Sequence, residues 1–109
     1  MHTTIKHVSV DEVKLLCENN ESLQIVDVRE LPEYQYVRIS KSVLVPLSEF
    51  EQKMSIVNKQ CPAYFLCGVG KRALKAAEFL ALQGYKDLYV IEGGIKAWIE
   101  AGYPVEQGN

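Results

Sequence analysis

The stretch Ala63-Tyr64-Phe65-Leu66-Cys67-Gly68-Val69-Gly70-Lys71-Arg72 decides the fold of this chain. Its first four residues are apolar and predict a buried strand. Apolar side chains then recur at helical spacing from residue 72 to residue 83, and Gly84 follows as a stop signal. The strand therefore passes through a short loop directly into a helix, and Cys67 lies at the carboxyl end of the strand.

The loop between strand and helix has the composition of an anion-binding site. Its two glycines allow the backbone to curl so that successive N–H groups point inward, and the helix adds its unpaired first amides. Such a cradle stabilises a thiolate on Cys67, while Lys71 and Arg72 add positive charge at its rim. A second interpretation stays open, in which Cys67 is a small buried hydrophobe in a tight turn and Arg72 is an ordinary solvated residue.

Further strands and helices are indicated on both sides of this stretch. Apolar runs predict short strands at residues 23–28, 43–45 and 88–91. A capping box from Ser9 to Glu12 opens a helix that ends at the Asn19-Asn20 turn, and a second box from Ser48 to Glu51 opens a helix to about residue 56. A last short helix follows the Gly93-Gly94 turn.

The alternation of strands and short helices indicates an α/β fold. Helices just long enough to cross over predict a mainly parallel sheet that is covered by helices on both faces. In such sheets ligands bind beyond the carboxyl ends of the strands. Cys67 lies at that edge, so the predicted architecture and the candidate site agree.

Length and composition limit the classes of protein to consider. The 109 residues predict a single domain over residues 1–109, with 48% hydrophobic residues to build a core. The net charge of -2 gives no general attraction for nucleic acid or for an anionic membrane. No signal peptide is apparent at residues 1–6 and no apolar run could span a bilayer, so we expect a cytoplasmic protein without a membrane partner.

Two cysteines and the tryptophan have structural interpretations. Three cysteines do not make a disulfide framework, which agrees with a reducing compartment. Cys17 lies on the apolar face of the first helix and is interpreted as a core thiol. Cys61 lies at the start of the strand that ends at Cys67, too far along extended chain from Cys67 for a disulfide, and is interpreted as structural, with a redox role in another conformation left open. Trp98, with Ile95 and Ile99, predicts a helix face that packs on the core.

Charged residues elsewhere do not indicate a second site. Asp27 and Arg29 follow a predicted strand and are expected to form a structural salt bridge or hydrogen bonds at its end. His2 and His7 lie near the N-terminus without a third ligand at metal spacing. We therefore expect no metal site.

Several motifs, read together, resemble the rhodanese family of sulfurtransferases. The resemblance extends from Ser9 to about Val105. Its motifs are Asp27-Val28-Arg29-Glu30 with Glu33-Tyr34, Val45-Pro46-Leu47, the loop from Cys67 to Arg72, and Glu92-Gly93-Gly94-Ile95-Lys96-Ala97-Trp98 with Gly102-Tyr103-Pro104-Val105. The resemblance implies a three-layer rhodanese-like domain.

The resemblance also implies a reaction and the residues that carry it. Cys67 would take a sulfane sulfur from a donor such as thiosulfate, hold it as a persulfide, and pass it to cyanide, a small thiol or a protein cysteine. The residues implied to bind the donor and the outer sulfur are Gly68, Val69, Gly70, Lys71 and Arg72. No cofactor is implied.

Two features of the sequence bear on alternatives. Where the family commonly has Gly-His-Ile-Pro-Gly-Ala, this chain has Val37-Arg38-Ile39-Ser40-Lys41-Ser42, which motivates a non-catalytic rhodanese-like module that binds a partner protein. Related phosphatases have one more residue between Cys and Arg than the four found here. The smaller loop suits one extra sulfur better than a phosphoryl group, so phosphatase or arsenate reductase activity is disfavoured.

Overall fold

The computed structural model describes residues 4–19 and 23–108. The strands are β1 Lys6–Val8, β2 Gln24–Asp27, β3 Val37–Arg38, β4 Val43–Leu44, β5 Ala63–Leu66, β6 Leu88–Ile91 and β7 Glu106–Gln107. The α-helices are α1 Val10–Asn19, α2 Leu31–Tyr36, α3 Phe50–Lys53, α4 Lys71–Leu82 and α5 Gly94–Glu100. Two 3-10 turns, Leu47–Glu49 and Met54–Ile56, flank α3. Asn20 of the predicted turn and His2 lie outside the described residues.

The central sheet is parallel and has the strand order β1-β6-β5-β2-β4. Strand β5 lies in the middle, where Phe65 is in register with Val26 on β2 and with Val90 on β6. All four residues of β5 are buried, as its continuous apolar sequence predicts for a strand covered on both faces. The predicted α/β class with a mainly parallel sheet is confirmed.

Helices cover both faces of this sheet. On one face, alanine and leucine side chains of α4 pack with Phe50 of α3 against Phe65 and its strand neighbours. On the other face, α1 and α5 contribute Val13 and Trp98 to a second cluster with Ile25. Ile99 is 45% exposed, so the expectation that it belongs to the packed face of α5 is wrong. Ile99 follows Trp98 directly and therefore points to another side of the helix.

The two predicted capping boxes have different outcomes. At α1 the Ser9 hydroxyl accepts the Glu12 amide at 3.1 Å, and the Glu12 carboxylate lies 3.5 Å from the Ser9 amide, which confirms the first box. The second is wrong, because Ser48 lies inside a 3-10 turn. The amide and hydroxyl of Ser48 both donate to Glu30 instead. Ser48 is therefore engaged by the carboxylate of Glu30, which is distant in sequence, and does not cap a helix.

Three short strands were not predicted. β1 adds an edge to the parallel sheet beside β6, and β3 pairs with β7 as an antiparallel ribbon in which Arg38 is opposite Glu106. The ribbon contains the start of the atypical stretch from Val37 to Ser42. Within the described residues, no helix is both long and apolar enough to cross a bilayer.

Candidate active site

Cys67 lies directly after β5, at the carboxyl edge of the sheet. Its side chain is 1% exposed and belongs to the same core cluster as Ala73. The sulfur accepts the Gly70 amide at 2.9 Å and the Ala73 amide at 3.3 Å. Two backbone N–H groups therefore converge on one sulfur, an arrangement that stabilises its anionic form.

The cradle differs in detail from the one predicted over residues 68–72. Of those amides only that of Gly70 reaches the sulfur, and the second donor, Ala73, lies one residue beyond the predicted set. Four amides donate no hydrogen bond within the described part of the chain, those of Gly68, Val69, Lys71 and Arg72. They remain available to a bound anion or to a second sulfur.

The two loop glycines serve different purposes. Gly70 is the N-cap residue of α4 and has a φ of 118°, a conformation that residues other than glycine rarely adopt. Gly68 has no positive φ. A β-carbon there would lie 3.1 Å from Arg72 Nη2, so the missing side chain leaves room for the guanidinium beside the loop. Val69, between them, is 59% exposed at the loop surface.

The start of α5 holds the loop from the other side. The Ile95 amide donates to Cys67 O at 2.8 Å, and the Lys96 amide donates to Gly68 O at 3.3 Å. Gly94 makes this approach possible, because a β-carbon on it would lie 2.5 Å from Gly68 O and closer still to Cys67 O. Sequence reasoning placed a turn at Gly93-Gly94 but missed its contact with the loop. A glycine pair directly after a buried strand was the available signal.

Arg72 is engaged by a residue from α2. Its Nη1 and Nη2 donate to Glu33 Oε1 and Oε2 at 2.8 and 3.1 Å, a bidentate pair. This hydrogen-bonded guanidinium lowers the pKa of Glu33 to about 2, and the same bond raises the pKa of Arg72. Lys71 is exposed. Glu33 was identified only as part of a family motif, and its pairing with Arg72 across 39 positions was not predicted.

A buried ion pair fixes the segment that carries Glu33. The Arg29 guanidinium donates to both carboxylate oxygens of Asp27, at distances down to 2.7 Å, and neither side chain is more than 3% exposed. Arg29 also donates to the carbonyls of Glu33, within α2, and of Val37, directly after it. The structural role expected for Asp27 and Arg29 is confirmed, and it positions α2 beside the loop.

The other two cysteines lie outside the loop from Cys67 to Arg72. Cys17 is half-buried, and burial raises the pKa of its thiol. Cys61 is half-buried before the first residue of β5, at the other end of that strand from Cys67. Across residues 4–19 and 23–108, no group of His, Cys, Asp or Glu side chains is arranged to hold a metal ion.

Comparison with known proteins places this geometry in a family. A sequence model of the Rhodanese-like domain matches residues 9–101. "Putative sulfur carrier protein YrkF" of Bacillus subtilis (strain 168) is 32% identical over 96 residues, which are 88% of this chain and 52% of YrkF, so the chain spans about half of that relative. "Thiosulfate sulfurtransferase GlpE" of Vibrio cholerae is 25% identical over 100 residues, which are 92% of this chain and 93% of GlpE.

Solved structures give the same result. A crystal structure of a rhodanese-related protein from Thermoplasma volcanium matches with a TM-score of 0.81 and 34% identity, over 93% of this chain and 97% of that one. The relatives support a sulfur-transfer role at the level of the family. Because the domain match spans most of the residues and the fold is shared, the chain belongs to the rhodanese family.

Proposed function

We propose that this chain is a sulfurtransferase that carries a sulfane sulfur as a persulfide on Cys67. The observation that carries the proposal is the convergence of the Gly70 and Ala73 amides on the Cys67 sulfur. These donors favour the thiolate, which is the nucleophilic form of cysteine. Cys67 and the loop residues proposed to act with it all lie within the matched rhodanese-like domain, and we propose that this chain is a single such domain.

The first step transfers sulfur from the donor to the enzyme. The Cys67 thiolate attacks the outer sulfur of thiosulfate, a Cys67–S bond to that sulfur forms, its bond to the sulfonate breaks, and sulfite leaves with the electron pair. The name of the relative GlpE supports thiosulfate as the donor. The unpaired amides of Gly68, Val69, Lys71 and Arg72 provide hydrogen bonds for the new terminal sulfur.

The second step returns the enzyme to its thiolate. Cyanide, a small thiol or the cysteine of an acceptor protein attacks the terminal sulfur, and the bond between the two sulfurs breaks towards Cys67. Cyanide gives thiocyanate, and a thiolate gives a new persulfide. Because the two half-reactions share only the modified enzyme, we expect ping-pong kinetics.

Thiocyanate formation from thiosulfate and cyanide tests this proposal. Cys67→Ala is expected to abolish turnover, while Cys61→Ser, which changes a half-buried thiol at the other end of β5, is expected to retain it. Arg72→Ala is expected to lower turnover strongly in protein that stays folded at the assay temperature, because its expected role is to position the anionic donor. Turnover that persists in Cys67→Ala would refute the proposal, as would a folded wild-type chain that transfers sulfur from none of several donors.

A second candidate is a non-catalytic module that binds a partner protein. The 1% exposure of Cys67 favours it, because a donor reaches so deeply covered a sulfur only if neighbouring groups move. Alkylation separates the candidates: a thiolate in a mobile cradle reacts faster than a free thiol near neutral pH, whereas a permanently covered thiol reacts more slowly.

The compartment proposed for this chain is the cytoplasm. Cys17, Cys61 and Cys67 are all unpaired, which agrees with a reducing environment.

A further inference from the structure

The surface formed by Glu33, Lys71 and Arg72 beside the loop, here called the entrance, carries less positive charge than the sequence of the loop indicates. Lys71 and Arg72 follow the loop, but the Glu33 carboxylate forms a bidentate pair with Arg72. The two side chains are 37% and 41% exposed, so this pair meets solvent beside the loop that a donor has to reach. One of the two cationic charges is therefore offset before any donor arrives.

The arrangement still leaves Arg72 able to contact a donor. A guanidinium has five N–H donors, and Glu33 accepts from two of them. Within residues 4–19 and 23–108, the remaining three have no partner. Arg72 Nη2 lies beside Gly68, so some of the N–H groups that Glu33 leaves free are close to the loop. Glu33 thus compensates the charge of Arg72 without occupying all of its donors.

The position of Glu33 is fixed from its own helix as well. Its Oε1 also accepts the Glu30 amide at 3.0 Å, as part of the capping box of α2. The Glu33 carbonyl accepts from Arg29, which is held by Asp27. A carboxylate tied to its backbone in this way stays at the entrance when Arg72 turns towards a donor.

We propose that Glu33 is a specificity-determining residue that disfavours donors with two negative charges relative to donors with one. This inference rests on the proposed sulfurtransferase function. Repulsion from a fixed carboxylate increases with the charge of the donor, whereas the hydrogen bonds offered by the loop amides are the same for both. The favoured class is therefore monoanionic sulfane-sulfur donors such as alkyl thiosulfonates.

Thiosulfate and methanethiosulfonate provide a matched pair for the test, since both transfer their terminal sulfur. Thiosulfate carries two charges and releases sulfite. Methanethiosulfonate carries one charge and releases methanesulfinate, so that in each case the Cys67 thiolate becomes the persulfide and the leaving group keeps the electron pair. The measured quantity is kcat/KM for thiosulfate divided by kcat/KM for methanethiosulfonate, with cyanide as the acceptor.

Glu33→Gln is the informative variant, because it removes the charge and keeps an oxygen that can accept from Arg72. We expect the ratio to rise about five-fold at low salt, because the variant removes one half-exposed negative charge. Concentrated KCl screens that charge, so the rise should become smaller there. Glu33→Asp, which keeps the charge, is expected to stay near the wild-type ratio. Glu18→Gln is the control, since Glu18 lies on α1 and pairs with Lys14 on the far face of the sheet.

The outcomes separate this inference from the proposed function. A ratio in Glu33→Gln that stays within two-fold of wild type, or falls, overturns the specificity role while both donors still support turnover. An equal rise in Glu18→Gln also overturns it, because the effect would then reflect net charge. A folded wild-type chain that accepts sulfur from neither donor refutes the proposed function itself.

Discussion

Gly94→Ala tests how the loop is held in place, because Gly94 is where α5 approaches the carbonyls of Cys67 and Gly68. The native φ of Gly94 is 59°, which costs an alanine about 1–2 kcal/mol. The new β-carbon would also meet two carbonyl oxygens, one of them at 2.5 Å. Because both are backbone atoms, they cannot move away as a flexible side chain would, and overpacking of this kind costs about 1–3 kcal/mol.

The two terms together predict a loss of about 2–5 kcal/mol in the free energy of unfolding. For a chain of this size the melting temperature would fall by roughly 4 °C for each kcal/mol. Urea unfolding followed by the fluorescence of Trp98, the single tryptophan, measures the change. Thiocyanate formation should fall further than the folded fraction does, because the Ile95 and Lys96 amides would lose their hold on the loop.

Gly102→Ala is the matched control. Gly102 also has a positive φ, 80°, but a β-carbon there would have no atom within 4 Å. Only the conformational cost applies, about 1–2 kcal/mol. If Gly94→Ala destabilises the chain no more than Gly102→Ala does, the proposed contact between α5 and the loop carries no energy and the reasoning fails.

Three further perturbations address the ion pairs and the core. Glu33 has a pKa of about 2, below its ordinary 4.5, because it accepts hydrogen bonds from Arg72; the stability it provides is present above about pH 4.5 and is lost as the pH falls towards 2. In urea titrations, Glu33→Gln should therefore lower the free energy of unfolding by about 1 kcal/mol at pH 7, a figure kept small because the pair is partly exposed, and should leave it unchanged near pH 2. A cost that does not vary with pH would contradict this. Asp27→Asn leaves the Arg29 charge buried without a counter-ion and should cost about 3 kcal/mol, whereas a loss under about 1 kcal/mol by thermal unfolding would show that the pair is dispensable. Phe65→Ala should cost about 3–5 kcal/mol and Phe65→Leu about 1.5 kcal/mol or less, and equal losses would contradict the tight packing between Val26 and Val90.

The sheet could be predicted from sequence because its central strands are buried on both faces. A strand in that position must be apolar throughout, so the run before Cys67 identified β5, and the next residue had to lie at its carboxyl edge. The short edge strands β1, β3 and β7 lack such runs and were not found. Their pairing depends on partners far away in the chain.

The same distinction applies to the candidate site. The cysteine and the glycines of the loop are local, and so is the Gly70 amide that donates to the sulfur. The partner of Arg72 and the contact of Gly94 are set by how α2 and α5 pack, which no local pattern encodes. Ser48 shows how a distant contact overrides a local signal. Its sequence context is typical of a helix cap, but its hydroxyl donates to Glu30, 18 residues away.

The mass of the peptide that contains Cys67, measured after thiosulfate treatment and without reductant, tests the central claim most directly. We predict a gain of one sulfur atom on Cys67, its removal by cyanide, and the same gain in a chain that carries Cys61→Ser. Thiosulfate-treated, folded protein in which Cys67 keeps its unmodified mass would contradict the account.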